Sequence, residues 1–276
     1  HRIMDTGAGG RVPVESTVQM VRSFAMVLAL GATAFAAPAT KAKPKPKAKP
    51  SHAKSHANSR FDHPDDPDAT PAVKYAALSP ADCETELGNR HIGYTKETAR
   101  GVVDPVRLTG ALHGVEFRTD ASETKREDTP YEITDCRLVL AMDDFAQILV
   151  THDIVQVRHY SIYRPPPKSW PKVDGVDKIG GQHNGALAID AGRFTKRDGS
   201  VLDVLKDFHG KIGDPTCGDG AGPHPVTDNA KELRDILCTT VAAHLFNVVL
   251  TPDFNRPHRN HFHLEVMANV KWFLVH

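Results

Sequence analysis

The strongest constraint on this chain is a period-two run close to its C-terminal end. Residues 252–266 read PDFNRPHRNHFHLEV, and from His261 onward polar and apolar side chains alternate strictly. In an extended strand, residues two apart point to the same face. His261, His263 and Glu265 would therefore share one face, with Phe262, Leu264 and Val266 on the other. A face of two imidazoles and a carboxylate suits a site better than a wall against solvent. The stretch that answers it lies upstream, at residues 181–190, GQHNGALAID. There a loop histidine, His183, precedes a run of small residues that ends in Asp190.

Much of the chain before this region cannot build a core. Residues 41–50 read KAKPKPKAKP, and the span 37–72 offers almost nothing to bury. Such a segment cannot offset its ordering entropy and is expected to be an extended linker. It is preceded by the pattern of a cleaved signal peptide at residues 20–36. One Arg, an apolar run over 24–30 and the small-residue triplet Ala34-Phe35-Ala36 follow one another there. The apolar run is too short to span a bilayer, so no stable membrane insertion is expected. Residues 1–19 carry no pattern and are set aside as an upstream segment. The globular domain is expected over 73–276.

Charge is divided in the same way. The chain of 276 residues has 34 basic and 34 acidic side chains. Ten basic and two acidic residues lie at or before Arg60, which leaves 24 basic and 32 acidic beyond it (34 − 10 and 34 − 2). A cationic arm on an acidic body gives no reason to expect a nucleic-acid partner, but it suits an anionic cell wall. Export would also permit disulfides. Cys83, Cys136, Cys217 and Cys238 form an even set without CxxC spacing, and of the three possible pairings Cys83–Cys136 with Cys217–Cys238 is expected.

In the body, Ser79-Pro80 is a cap and first-turn pair for a helix reaching Gly88. Apolar residues at helical spacing predict a helix over 134–150, capped by Thr134 or Asp135. A further helix is expected from Thr227 or Asp228 to about Ala243. Strands are predicted over 92–103, 109–117, 154–163 and 246–250, with a proline-forced loop from 165 to 181. Strands interspersed with irregularly placed helices give an α+β fold, a small antiparallel sheet with flanking helices.

His183 and Asp190, seven apart, plus one histidine of the pair His261/His263 make two imidazoles and one carboxylate. With water in a fourth position, this is the open donor set of catalytic zinc. The spacing leaves open which histidine completes it. His183-x₆-Asp190 followed by Asn260-His261-Phe262-His263-Leu264-Glu265 resembles the bacterial extensin-like C-terminal domain family over about residues 81–274. That family is similar to the LAS metallopeptidases, which include D-Ala-D-Ala carboxypeptidases and the murein endopeptidase, and also to the zinc-binding hedgehog domain. Their pattern, S-x-H-x-x-G-x-A-x-D and then H-x-H, fits at His183, Ala188, Asp190 and the final pair. Gly181 stands at the Ser position, and Ala186 beside Gly185 at the Gly position.

The resemblance implies a Zn²⁺ held by His183, Asp190 and His263. It implies His261 as general base or transition-state stabiliser, supported by His258. Arg164, in the Tyr163-Arg164 segment, would meet the substrate's carboxylate or oxyanion, a role suited to a planar fork of donors. Asn260 occupies the position where dipeptidase relatives carry a glutamate, and Glu265 could orient an imidazole from behind. The implied function is a secreted peptidase of the periplasm or cell envelope, acting on peptidoglycan or other cell-wall peptides. The competing expectations are a non-catalytic zinc-containing wall-binding module and an extracellular structural protein.

Overall fold

The computed structural model describes residues 61–120, 125 and 127–276. The upstream segment, signal peptide and linker expected up to residue 60 lie outside the described residues. In chain order the elements are β1 (Phe61–Asp62), α1 (Pro71–Ala76), α2 (Pro80–Asn89), β2 (Tyr94–Lys96), β3 (Pro105–Leu108), β4 (Glu116–Arg118), β5 (Thr134–Asp135), α3 (Cys136–Thr151) and β6 (Ile154–His159). There follow β7 (Lys172–Val173), β8 (Val176–Asp177), β9 (Ala188–Lys196), β10 (Val201–Asp203), α4 (Val204–Asp207), α5 (Asp228–Ala242), β11 (Val248–Leu250), β12 (Phe262–Glu265) and β13 (Phe273–Val275).

The three longer helices start where a side-chain oxygen can take an orphan backbone N–H. Ser79 accepts from the Asp82 amide, Asp135 from Arg137 and Thr227 from Ala230. Helix α3 is the central one. Its run from Cys136 to Asp143 is buried all round, and Phe145 meets Phe194 and Phe246 edge-on at 6.4 and 6.0 Å. It lies against the main sheet and anchors the core.

That sheet has eight strands in the order β1-β13-β11-β12-β9-β6-β4, with β10 also paired to β9. It is larger than the small antiparallel sheet expected, and two of its pairs, β11 with β13 and β4 with β6, are parallel. The added strands are two or three residues long, too short to show a period. A three-stranded sheet (β2-β3-β5) and a two-stranded one (β7-β8) complete a mixed α/β fold.

The linker was expected to run to residue 72, but its last dozen residues belong to the body. β1 pairs with β13, the Ala72 amide donates to the His244 carbonyl at 3.1 Å, and Thr70 and Ala72 are buried. The charged and proline-rich composition of this stretch hides those few anchors.

Both expected disulfides are formed. Cys83–Cys136 ties α2 to the start of α3, and Cys217–Cys238 ties the loop before α5 to that helix. Each would contribute roughly 3–4 kcal/mol by loop-closure entropy. No free cysteine remains, which suits an extracellular or otherwise oxidising environment. Among the described residues no helix is long and apolar enough to cross a membrane.

Candidate metal centre

The site is written into the register of two neighbouring strands. β12 pairs antiparallel with β9 so that His263 lies opposite Asp190, Leu264 opposite Ile189 and Glu265 opposite Ala188. Phe262, Leu264 and Ile189 are fully buried on the core side, which pins this register. A slip by one residue would put an apolar side chain where His263 stands.

His183 arrives from a short 3-10 turn, Gln182–Gly185, that leads into β9. The turn is held closed by Gly180 and Gly185, whose backbones press so closely that a Cβ on either would collide with the other's loop. Ala186 then turns the chain in the left-handed region, at φ 53°. The segment after β6 runs alongside. The Asp190 amide donates to the Ser161 carbonyl, the Tyr160 amide donates to the Asp190 carbonyl, and the Ile162 carbonyl accepts from His183 Nδ1 at 2.8 Å.

Three imidazoles converge on one carboxylate oxygen. Asp190 Oδ1 lies 3.1 Å from His183 Nε2, 3.0 Å from His263 Nδ1 and 3.3 Å from His261 Nε2. Each ring also has its outer nitrogen against an oxygen. For His183 this is the Ile162 carbonyl; for His263 it is Glu265 Oε2 at 3.3 Å; for His261 it is Asn260 Oδ1 at 2.9 Å. An imidazole whose only proton is given to that outer acceptor turns a lone pair inward. Lone pairs facing a carboxylate oxygen at about 3 Å repel unless protons or a cation stand between them. The donor set therefore fits a metal ion. The potential ligand atoms of His183, Asp190 and His263, all three buried, lie within 4.8 Å of one another.

The electrostatics agree. Burial alone would raise the Asp190 carboxyl, but the hydrogen bonds from His183, His261 and His263 hold it well below the usual carboxylate range. Burial would lower His263, but Asp190 and Glu265 on its two sides push it up to about 9. His258 moves the other way. Burial and the neighbouring His261 and His263 lower it to about 4, so it is neutral near pH 7.

His258 sits in the turn Arg256–His258, donates from Nδ1 to Asn255 Oδ1 at 2.7 Å, and packs its ring 5.2 Å from His261 and 5.8 Å from His263. Arg164 donates from Nε to Ser161 Oγ at 2.9 Å and from Nη2 to Asp190 Oδ2. Its guanidinium thus steadies the second oxygen of Asp190, while the side chain stays half-exposed. All six residues singled out in the sequence meet in one cluster. Sequence reasoning missed the groups that hold them. Asn255 had no pattern to betray it, and the Ile162 carbonyl is a backbone atom. Asn260, read as a missing carboxylate, is the oxygen behind His261.

The family model described as extensin-like protein C-terminus matches residues 81–274. The chain belongs to this extensin-like family. The match spans the whole cluster, from Arg164 through His263, and both disulfides. Neither the curated proteins nor the solved structures give a match to this extensin-like chain.

Proposed function

We propose that this extensin-like domain is a secreted zinc-dependent peptidase that cleaves peptide bonds in peptidoglycan stem or cross-link peptides, in the periplasm or cell envelope. The observation that carries the reading is the inward turn of His183 Nε2 and His263 Nδ1 onto Asp190, each ring fixed from behind by an oxygen. Those three residues would hold Zn²⁺. A bound zinc supplies Lewis acidity, lowering the pKa of water to about 7 and polarising a carbonyl.

The remaining work falls to the chain's own groups. His261 is the one imidazole of the trio outside the ligand set, and Tyr160 packs edge-on to it at 5.8 Å. In this reading it takes a proton from the attacking water and passes it to the leaving amine. His258, neutral and held by Asn255, fixes the ring position of His261. Arg164 keeps Nη1 without a described partner, and that edge can meet a substrate carbonyl or carboxylate. The peptidoglycan substrate is supported by the likeness to LAS enzymes and by the signal-peptide pattern.

A non-catalytic zinc-containing wall-binding module is the second reading. The engagement of Arg164 with Asp190 favours it, because that contact is structural. Digestion of purified muropeptides separates the two. Wild-type protein with zinc should release product, and His261→Ala should keep its zinc while losing turnover by about 100- to 10,000-fold. A zinc-loaded wild type that cleaves no muropeptide contradicts the peptidase reading.

A further inference from the structure

Beside the metal centre, on the His183 and Glu265 side, lies a groove of about 420 Å³. Its apolar lining comes from Trp170, Ile179, Leu187 and Met267. Two buried ionic side chains also line it. Glu265 is 2 % exposed and Arg137 is 8 % exposed. The fold brings them together because Glu265 lies opposite Ala188 on β9, while the Asp135 amide at the head of α3 bonds to the Ala186 carbonyl.

Neither ionic group is used up by its protein partner. Glu265 gives Oε2 to His263, and Oε1 has no partner among the described residues. Arg137 spends Nε and Nη2 on the two oxygens of Asp135, at 2.7 and 2.9 Å, and Nη1 donates to no described residue. A guanidinium can serve a second carboxylate on its other edge. A buried acceptor and a buried donor of opposite charge, facing one small apolar cavity, are complementary to a ligand that carries both charges.

We infer that this groove binds an amino-acid zwitterion, its ammonium directed to Glu265 and its carboxylate to Arg137. Two sources share that chemistry, a free amino acid and the uncapped end of a diamino-acid side chain within a peptide. The inference deepens the peptidase reading and rests on it for the source of the ligand. The binding itself requires no turnover.

Trp170 supplies a readout, since it lines the groove and the chain has one other tryptophan, Trp272. The probes are alanine, N-acetylalanine, alaninamide, and a peptide whose diamino-acid side chain ends in a free amino-acid group. Titrated into the full-length zinc-loaded protein, the zwitterions should change the fluorescence, and Trp170→Phe should abolish the change. Each capped form should bind at least tenfold more weakly. Arg137→Lys should weaken binding by a similar factor, because an ammonium cannot reproduce the fork. If that variant fails to fold, the capped probes on the wild type decide. Tighter binding by alanine identifies the free amino acid as the source, and tighter binding by the peptide identifies the side chain. Equal binding of capped and uncapped forms, or none by either zwitterion, overturns the inference. Muropeptide turnover by the same preparation keeps the two readings apart. Lost binding with retained hydrolysis sinks the groove assignment alone, and the reverse sinks the peptidase alone.

Discussion

Two clusters in this fold gather charged side chains around one residue, and they are built as opposites. At Arg90 a single guanidinium collects acceptors. Nε meets Glu86 at 2.9 Å, Nη1 meets Asp143 and Asp144 at 3.0 and 2.8 Å, and Nη2 meets the Tyr75 hydroxyl at 2.8 Å. At Asp190 a single carboxylate collects three imidazoles and a guanidinium. The first cluster is complete as it stands, because a permanently charged hub donates to groups that can only accept or pass a proton on. It ties α1 and α2 to α3. The second is incomplete. Its imidazoles can turn either a proton or a lone pair inward, and their outer nitrogens already have acceptors. The difference separates a structural ion-pair network from a site: one brings its cation with it, and the other has a place for a cation.

Breaking each hub should therefore damage different properties. Asp190→Asn should remove the metal and cut peptide hydrolysis by at least about 1,000-fold, while the disulfide-linked fold persists. Arg90→Met should leave metal content and the activity of folded protein unchanged. It takes the shared cation from Asp143, Asp144 and Glu86, of which Asp143 is buried, and should cost roughly 3 kcal/mol. In a domain of this size that corresponds to a fall in Tm of about 6–12 °C. Thermal melts beside metal analysis check both. A loss of metal in Arg90→Met would dissolve the distinction.

Acidity should distinguish the two hubs by a smaller effect. In the metal-free protein His263 keeps its proton up to about 9, whereas the unfolded value is 6.5. The stability from that proton is fully present below about 6.5 and is lost as pH rises through about 9. Zinc requires the neutral ring. Its affinity should rise about tenfold per pH unit up to about 9 and then level off. Competition against a chelator across pH 6–10 measures the slope. A flat profile would mean that His263 carries no proton that the metal displaces.

What the sequence disclosed follows from where the physical signal is local. Helix caps at Ser79, Asp135 and Thr227 are side chains acting within three residues; Ser79 stands where it was expected, and Asp135 and Thr227 are each one of the two candidates expected there. The alternation over 261–266 and the separation of His183 from Asp190 are equally local, so the histidine–aspartate heart of the cluster was legible in the spacing, whereas Arg164, His258 and the choice of His263 came from the family resemblance. Residues 61–72 were read as linker because composition averages over the stretch, whereas Phe61, Thr70 and Ala72 act one by one. β1, β4 and β13 are too short for a period, and their partners are distant in sequence. Arg137 and Glu265 show the same limit. Their shared groove exists because the chain entering β9 meets the head of α3 at Ala186 and β12 at Ala188, and nothing in either segment points to the other.

In the proposed site His183, Asp190 and His263 hold one metal ion, with His261 beside it as the proton-handling group. Zinc content of the wild type, His183→Ala, His263→Ala and His261→Ala, each purified in the same way, tests it most directly. About one zinc per chain is expected in the wild type and in His261→Ala, and less than about a tenth of that in the other two. Zinc retained in His263→Ala and lost in His261→Ala would contradict it.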